Sequence, residues 1–183
     1  MAAPLLQIDG QLHPMLGRLV DSLYAKAEEF WPVIKTGRTH LQDATPIRLG
    51  QEFGGYNGQL GGIMTSGLIL AVHALRYLPI GGTAVGTGIN SHPRFAPRVC
   101  ELLSEWTKTR PPFKESKNHF ADQATLDSAV AAHGILKNLA VALTKICNDL
   151  RWMGSGPRAG LGEIELPAVQ PGSSIMPGKV NPV

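Results

Sequence analysis

The chain has 183 residues, of which 43% are hydrophobic and 17% are charged, and its 17 basic and 14 acidic residues give a formal net charge of +3. A chain of this length can bury a sizeable core, and this composition excludes a largely disordered protein. The basic residues are scattered and few aromatic residues accompany them. The sequence therefore lacks the clustered basic face of a nucleic-acid-binding protein.

The cysteines and the amino terminus bear on the cellular compartment. Cys100 and Cys147 stand alone without CxxC spacing, which favours reduced thiols over a disulfide framework. The first ten residues are too short an apolar stretch, without a charged start, for a signal peptide. No window approaches about eighteen uninterrupted apolar residues, and no metal-ligand spacing is present. We therefore expect a cytoplasmic protein with no membrane partner and no metal.

Four segments carry apolar residues at three- and four-residue steps, and each predicts a helix. They cover residues 12–30, 46–78, 93–106 and 121–152. Thr45 and Pro46 are typical of an N-cap followed by proline in the first helical turn, so the second helix is predicted to begin there. No alternation typical of strands competes anywhere. The predicted fold class is all-α, a bundle of long helices.

The helix predicted over residues 46–78 is unusually long and rich in glycine. At 1.5 Å per residue it would extend about 50 Å, more than a single small domain needs. Its glycines weaken it unless another helix backbone approaches closely. They are Gly50, Gly54, Gly55, Gly58, Gly61 and Gly62. We expect the chain to self-associate through long helices packed side by side.

The domain organisation follows from these patterns. We predict an amino-terminal extension over residues 1–10, a helical bundle domain over 11–153 and a Gly/Pro-rich segment over 154–183. Residues 35–45 form a polar connection between the first two helices, and functional residues tend to lie on such connections.

The densest group of reactive side chains lies at residues 172–182, which read GSSIMPGKVNP. Two prolines and two glycines exclude a helix or a central strand, so we expect backbone N–H groups without ladder partners, free to point at a ligand. Lys179 and Asn181 add a charge and an amide. A hydroxyl among several such donors could be ionised, since about six pKa units correspond to roughly 8 kcal/mol. The alternative is a flexible Gly/Ser/Pro loop.

This segment also resembles the signature of the fumarase/aspartase superfamily. Three further blocks extend the resemblance in the same order as in that family: GRTHLQDATP at residues 37–46, GGTAVGTG at 81–88 and GSGPR at 154–158. The similarity runs from about Lys35 to the last residue.

The resemblance implies a fold, an assembly and a chemistry. The corresponding region of that family is the central helical domain, which associates into a homotetramer with shared active sites. Its reaction is reversible elimination from a succinyl skeleton to give fumarate, without a metal or organic cofactor. By motif position Ser173 would be the base, His40 the acid that protonates the leaving hydroxyl, and Thr39 a substrate contact. The residues that would hold the substrate carboxylate are Ser174, Lys179, Val180 and Asn181.

His40 distinguishes the branches of the family. Members resembling aspartase carry glutamine at this place, so the resemblance favours the class II fumarases, which interconvert L-malate with fumarate and water. Aspartate ammonia-lyase activity is the alternative. Without the motif context, His40 would be interpreted as a loop histidine that caps the following helix.

A third alternative concerns the length of the chain. Family members contain an upstream Ser/Asn/Asp segment that this sequence lacks, and an acidic residue after the signature orients their histidine. The present sequence stops at Val183. We therefore expect the chain alone to be a helical oligomerisation fragment with at most a trace of activity.

Overall fold

Helices make up most of the structure, a computed structural model that describes residues 1–181. The helices are α1 (Ala2–Gln7), α2 (His13–Glu29), α3 (Leu49–Gly62), α4 (Ile69–Leu75), α5 (Phe95–Thr107), α6 (His119–Ala124) and α7 (Asp127–Met153). The π-helical segments Ile8–Leu12 and Ile63–Leu68 continue α1 into α2 and α3 into α4 without a break. The predicted all-α class is confirmed.

Six short strands accompany the helices, against the expectation that none would form. They are β1 (Ile34–Thr39), β2 (Gln42–Arg48), β3 (Tyr77–Leu78), β4 (Lys114–Glu115), β5 (Pro171–Ser173) and β6 (Met176–Val180). They form three separate two-stranded sheets, β1 with β2, β3 with β4 and β5 with β6. Strands as short as β3, β4 and β5 show no detectable alternation, and the longer β2 has no alternating burial, so periodicity did not reveal them.

The start of the second long helix was predicted wrongly. Thr45 and Pro46 lie in β2, and the helix begins at Leu49. A residue before proline favours an extended backbone, which suits Thr45 to a strand. The N-cap is Arg48, whose backbone N–H donates to the side chain of Gln51 at 2.8 Å. The polar connection predicted over residues 35–45 is instead a hairpin.

The last long helix also begins later than predicted. The sequence pattern favoured a helix from residue 121, but α6 ends at Ala124 and α7 begins at Asp127. Thr125 between them is extended, with φ −130° and ψ 167°. Apolar spacing continues across this break, which explains why the pattern did not show it.

The chain forms two compact units. One contains residues 1–33 and 48–139, and the other contains residues 34–47 and 140–183. The boundaries predicted after residues 10 and 153 follow sequence character rather than compactness, and they stay a prediction.

The core of the first unit lies between α2 and α3. Phe53 makes edge-to-face contacts with Phe30 and Tyr56, with ring centroids 5.1 and 5.7 Å apart. The Asn57 side chain donates to the Val20 carbonyl at 2.8 Å. The apolar stripe of each helix is therefore buried against the other, and a side-chain amide satisfies a backbone carbonyl between them.

Two helices keep a large apolar surface outside this core. Leu49–Leu75 and α7 each have 27 residues and are apolar enough, by length and composition alone, to cross a membrane. Only 33% and 22% of their most apolar windows are buried within the chain. Exposed apolar side chains on these helices include Ile69, Leu70, Val130 and Val141. Surfaces of this kind mark sites of contact with other apolar surfaces.

The glycines of α3 differ in their surroundings. A Cβ added at Gly50 would lie 2.3 Å from the Ala27 carbonyl oxygen, so this glycine permits the close approach of a second helix. Gly54 has open space around its Cα, with nothing within 4 Å of an added Cβ. The expectation that glycine serves close helix approach is therefore met at Gly50 and not at Gly54 within one chain.

Substitution of these two glycines gives a matched test. We expect Gly50→Ala to lower the free energy of unfolding by about 1–3 kcal/mol, because the methyl group overlaps the α2 backbone. Gly54→Ala should raise it by up to about 1 kcal/mol through helix propensity. Urea denaturation followed by circular dichroism measures both. A loss at Gly54→Ala equal to that at Gly50→Ala would contradict this account.

Candidate active site

Thr39 and His40 lie at the tip of the β1–β2 hairpin. His40 and Leu41 both have a left-handed backbone, with φ of 52° and 62°, as in the primed two-residue turns that connect hairpin strands. Such turns usually contain Asn or Gly, and a non-glycine residue at positive φ is uncommon. The side chains of Thr39 and His40 are exposed. The hairpin therefore presents an imidazole to solvent from a turn that its own residues do not favour.

A carboxylate that is mostly shielded from water contacts the stem of this hairpin. Glu163 Oε2 lies 2.5 Å from Lys35 Nζ, and Glu163 Oε1 lies 2.5 Å from Arg38 Nη1. The side chains of Lys35, Arg38 and Glu163 are 9%, 23% and 13% exposed. Pairs this short and this shielded from water attract far more strongly than surface ion pairs. We call these three residues the Glu163 cluster.

The charges of the cluster set the protonation of the acid. Burial alone raises the pKa of Glu163, but hydrogen bonds from Arg38 and Lys35 outweigh burial, and the pKa lies below its ordinary value. Arg38 Nε is also 3.6 Å from Asp43, whose side chain is 84% exposed, so this second pair contributes little. Glu163 is therefore ionised at neutral pH and holds both cations.

The loop that carries Glu163 folds back on the end of α7. The backbone N–H of Glu163 donates to the Met153 carbonyl at 2.8 Å, and that of Gly162 donates to the Ser155 carbonyl at 2.8 Å. The Ser155 hydroxyl donates to the Trp152 carbonyl at 2.6 Å and accepts from the Leu161 N–H at 3.0 Å. These bonds satisfy carbonyls that every helix end leaves open, and they fix Glu163 beside the helix.

The signature segment forms a second hairpin, which corrects one expectation. Ser173 pairs with Met176 and Pro171 pairs with Val180, so part of this backbone has ladder partners and is not free for a ligand. A Cβ at Gly172 would lie 1.9 Å from the Lys179 carbonyl oxygen, so only glycine fits there. The two prolines excluded a central strand, and these strands are indeed the two edges of a ribbon.

Polar side chains lie at both ends of the second hairpin, with Ser173 and Ser174 at its turn and Lys179 and Asn181 at its open end. The Ser173 hydroxyl oxygen accepts a hydrogen bond from the Ile175 N–H at 3.2 Å. Ser174 and Lys179 are exposed and Asn181 is half-buried. The side chain of Val180 lies outside the described part of the structure. A donor aimed at the Ser173 oxygen favours its ionised form over its neutral form.

All seven residues predicted for the site belong to the same compact unit, on two hairpins. Among residues 1–181, no hydrogen bond or ion pair joins the His40 ring to Ser173. Lys35 and Glu163 were missed by sequence reasoning. Lys35 had been placed in a polar loop, and no spacing links it to an acid so far along the chain.

Within the described residues, no three His, Cys, Asp or Glu side chains are placed to hold a metal ion. The prediction that the site uses no metal or organic cofactor stays a prediction.

Comparison with known proteins relates this geometry to a family. Residues 3–183 match the protein family described as Lyase. The chain belongs to this lyase family. The match covers both hairpins and every residue predicted for the site.

Individual relatives of this lyase chain carry more specific names. It is 52% identical over 180 residues to the class II fumarate hydratase of Neisseria meningitidis, covering 98% of this chain and 38% of that protein. It is 51% identical over 183 residues to the mitochondrial fumarate hydratase of Rhizopus oryzae, covering 98% and 36%. The crystal structure of class II fumarase from Schistosoma mansoni superposes with a TM-score of 0.90 at 39% identity, covering 100% of this chain and 41% of the other. The chain thus spans about two-fifths of the length of these relatives.

The Glu163 cluster predicts a pH dependence of stability. The folded-state pKa of Glu163 is below its ordinary value near 4.5, so the unfolded chain binds more protons between the two values. The stabilisation is fully present above about pH 4.5 and is lost as the pH falls through the folded-state pKa. Urea unfolding between pH 3 and 7 measures it.

Glu163→Gln provides the comparison for this pH series. It should lower the stability of the compact unit that contains the hairpin by about 3 kcal/mol at pH 7, because two shielded cations lose their partner, and it should flatten the acid limb of that unit. Asp43→Asn, which removes an exposed carboxylate near the same arginine, should leave both unchanged. An acid limb as steep in Glu163→Gln as in the parent chain would refute the assignment.

Proposed function

We propose that this chain supplies catalytic and substrate-binding groups of a class II fumarate hydratase, which reversibly hydrates fumarate to L-malate. The observation that carries the proposal is the presence of both motif hairpins in one compact unit of a lyase-family chain. The relatives named class II fumarate hydratase support the choice of reaction. The chain spans 38% of the length of the Neisseria relative, so the proposal concerns its share of a larger site.

The difficult step is removal of a weakly acidic proton. In the dehydration direction the Ser173 alkoxide takes a proton from C3 of malate, and the electron pair moves into the adjacent carboxylate to give an aci-carboxylate. That charge needs fixed donors and a cation, which Ser174, Lys179, the Val180 backbone and Asn181 supply. The Ile175 N–H that donates to Ser173 lowers the cost of forming the alkoxide.

Departure of the hydroxyl completes the reaction. His40 donates a proton to the hydroxyl on C2 as the C2–O bond breaks, so that water leaves and the C2–C3 double bond of fumarate forms. In the reverse direction the same imidazole takes a proton from water as water adds to C2. Thr39 beside it contacts the substrate. No metal or organic cofactor enters these steps.

Assembly accounts for the exposure of these groups. Oxyanion stabilisation is strongest where water is excluded, yet His40 is exposed in the single chain. We propose that the long apolar helices associate into a homotetramer whose subunits share their sites. The two free thiols, one buried and one exposed, favour a reducing compartment, and we assign the protein to the cytoplasm. From the proposed reaction we assign it to the tricarboxylic acid cycle.

Activity can be tested in a completed chimera, in which this chain replaces the matching 180-residue segment of the Neisseria relative. We expect it to form fumarate from L-malate and not from aspartate, measured by the ultraviolet absorbance of fumarate. His40→Asn and Ser173→Ala should each lower kcat by about 10²–10⁴-fold, because each removes a proton-transfer group. The oligomer should stay intact.

An exposed serine away from the site serves as a control. Ser22→Ala should leave the chimera within about twofold of the parent rate, since Ser22 lies on α2 and outside the residues proposed for the site. An inactive chimera, or aspartate used in preference to malate, would reject the proposal. Parent rates in His40→Asn or Ser173→Ala would remove that residue from the mechanism.

Self-association makes a separate prediction. The chain should sediment as an oligomer, and Leu70→Asp should shift it toward the monomer, because Leu70 is 66% exposed on an apolar helix face. Ser22→Asp, on the exposed part of α2, should not change the sedimentation coefficient. A parent chain that is monomeric at high concentration would contradict the assembly.

A further inference from the structure

We propose that Glu163 is a positioning residue for the acid step, which holds the β1–β2 hairpin so that His40 reaches the leaving hydroxyl. The inference rests on the proposed function for the role of His40. The contacts that carry it are independent of that function, and they concern how a strained turn is kept in place.

The backbone at the hairpin tip is strained. His40 and Leu41 both adopt the left-handed backbone conformation, and neither is a glycine. Such residues persist only where the surrounding structure determines their conformation. The exposed tip has little of its own to do so, because Thr39, His40 and Leu41 are all exposed. The constraint must therefore come from the stem.

The stem of the hairpin is attached to distant parts of the sequence. Both cations of the Glu163 cluster lie on β1, and Arg38 is two residues before His40. Their partner comes from a distant part of the sequence, 125 residues after Arg38. Lys35 Nζ also lies 3.7 Å from the sulfur of Met153, the last residue of α7. The stem is thus attached to a long rigid helix and to the loop folded on it.

The Glu163 carboxylate contacts the stem at two points. Each oxygen of Glu163 faces a different cation, so one side chain fixes two points along β1. Two fixed points define the direction of a strand, whereas one would leave it free to pivot. The backbone bond from Glu163 to Met153 prevents the carboxylate from moving with the hairpin. Removing the charge should therefore release the hairpin while leaving other elements folded.

Release of the hairpin should slow the acid step and leave the base step unaffected. Displacement of a catalytic group by about 1 Å can cost about a hundredfold in rate. A hairpin that pivots would misplace the acid and leave the base on the other hairpin unaffected. The loss should then appear only with leaving groups that need a proton.

Chlorosuccinate distinguishes a loss of the acid step from a general loss of activity. When the C3 proton is transferred to Ser173 and the C2–Cl bond breaks, chloride leaves with the bonding pair and fumarate forms without general acid catalysis. L-Malate needs the acid. In the completed chimera we expect Glu163→Gln to lower kcat for malate by about 10–100-fold and kcat for chlorosuccinate by less than about threefold. Glu163→Asp should recover part of the malate rate, and Asp43→Asn should match the parent for both substrates.

The 183-residue chain provides a readout that needs no activity. Hydrogen exchange should show amides 34–47 exchanging at least about tenfold faster in Glu163→Gln than in the parent or in Asp43→Asn, with protection of α2 and α3 unchanged.

The outcomes separate the two proposals. Unchanged exchange of the hairpin overturns the positioning role. Equal losses on malate and chlorosuccinate also overturn it, because they show a general structural effect. An inactive parent chimera would reject the proposed function, and the exchange rates would still decide whether Glu163 holds the hairpin.

Discussion

The interaction of Glu163 with Lys35 and Arg38 determines where the β1–β2 hairpin can lie. A hairpin of two strands is at best marginally stable in water, and this one also contains two non-glycine residues with positive φ. Its retention therefore depends on contacts outside the hairpin. A carboxylate with each oxygen on a different cation, mostly shielded from water, is a strong contact of that kind. Its strength follows from geometry, since the same charges at the surface would contribute little.

The second hairpin is held in a different way. Gly172 allows the opposing strand to approach its Cα, and Gly178 adopts a φ of 85° that few other residues would tolerate. Here the constraint is steric and local, and the glycines of the segment itself indicate it. The first hairpin is held by charge at long range, through residues that look like ordinary loop residues. The two hairpins of one compact unit thus depend on different physical terms, and changes in pH or salt should affect only the first.

This difference explains what the sequence could predict. The long helices were found because apolar spacing reports a buried stripe, as in α2 and α7. Ser173 and His40 were assigned to the site through local motifs, and their roles stay a prediction. The β1–β2 hairpin was missed because His40 and Leu41 are not the residues that favour a primed turn. Glu163 was missed because an ion pair between residues 125 positions apart leaves no periodic trace.

Apolar side chains and the residues proposed for catalysis are exposed in the single chain, and the proposed assembly would explain both. Val130 on α7 is 68% exposed and Leu70 is 66% exposed, which is costly for a helix facing water. The exposed imidazole of His40 is equally unsuited to chemistry that needs a dry site. Other subunits packed over this chain would cover both the apolar helix faces and the His40 ring. In the proposed assembly, helix faces would supply the free energy of association, and the hairpins would gain the low-dielectric environment in which their donors act most strongly. Folding, assembly and catalysis would then depend on the same burial, so a chain that stays monomeric should also be a poor catalyst.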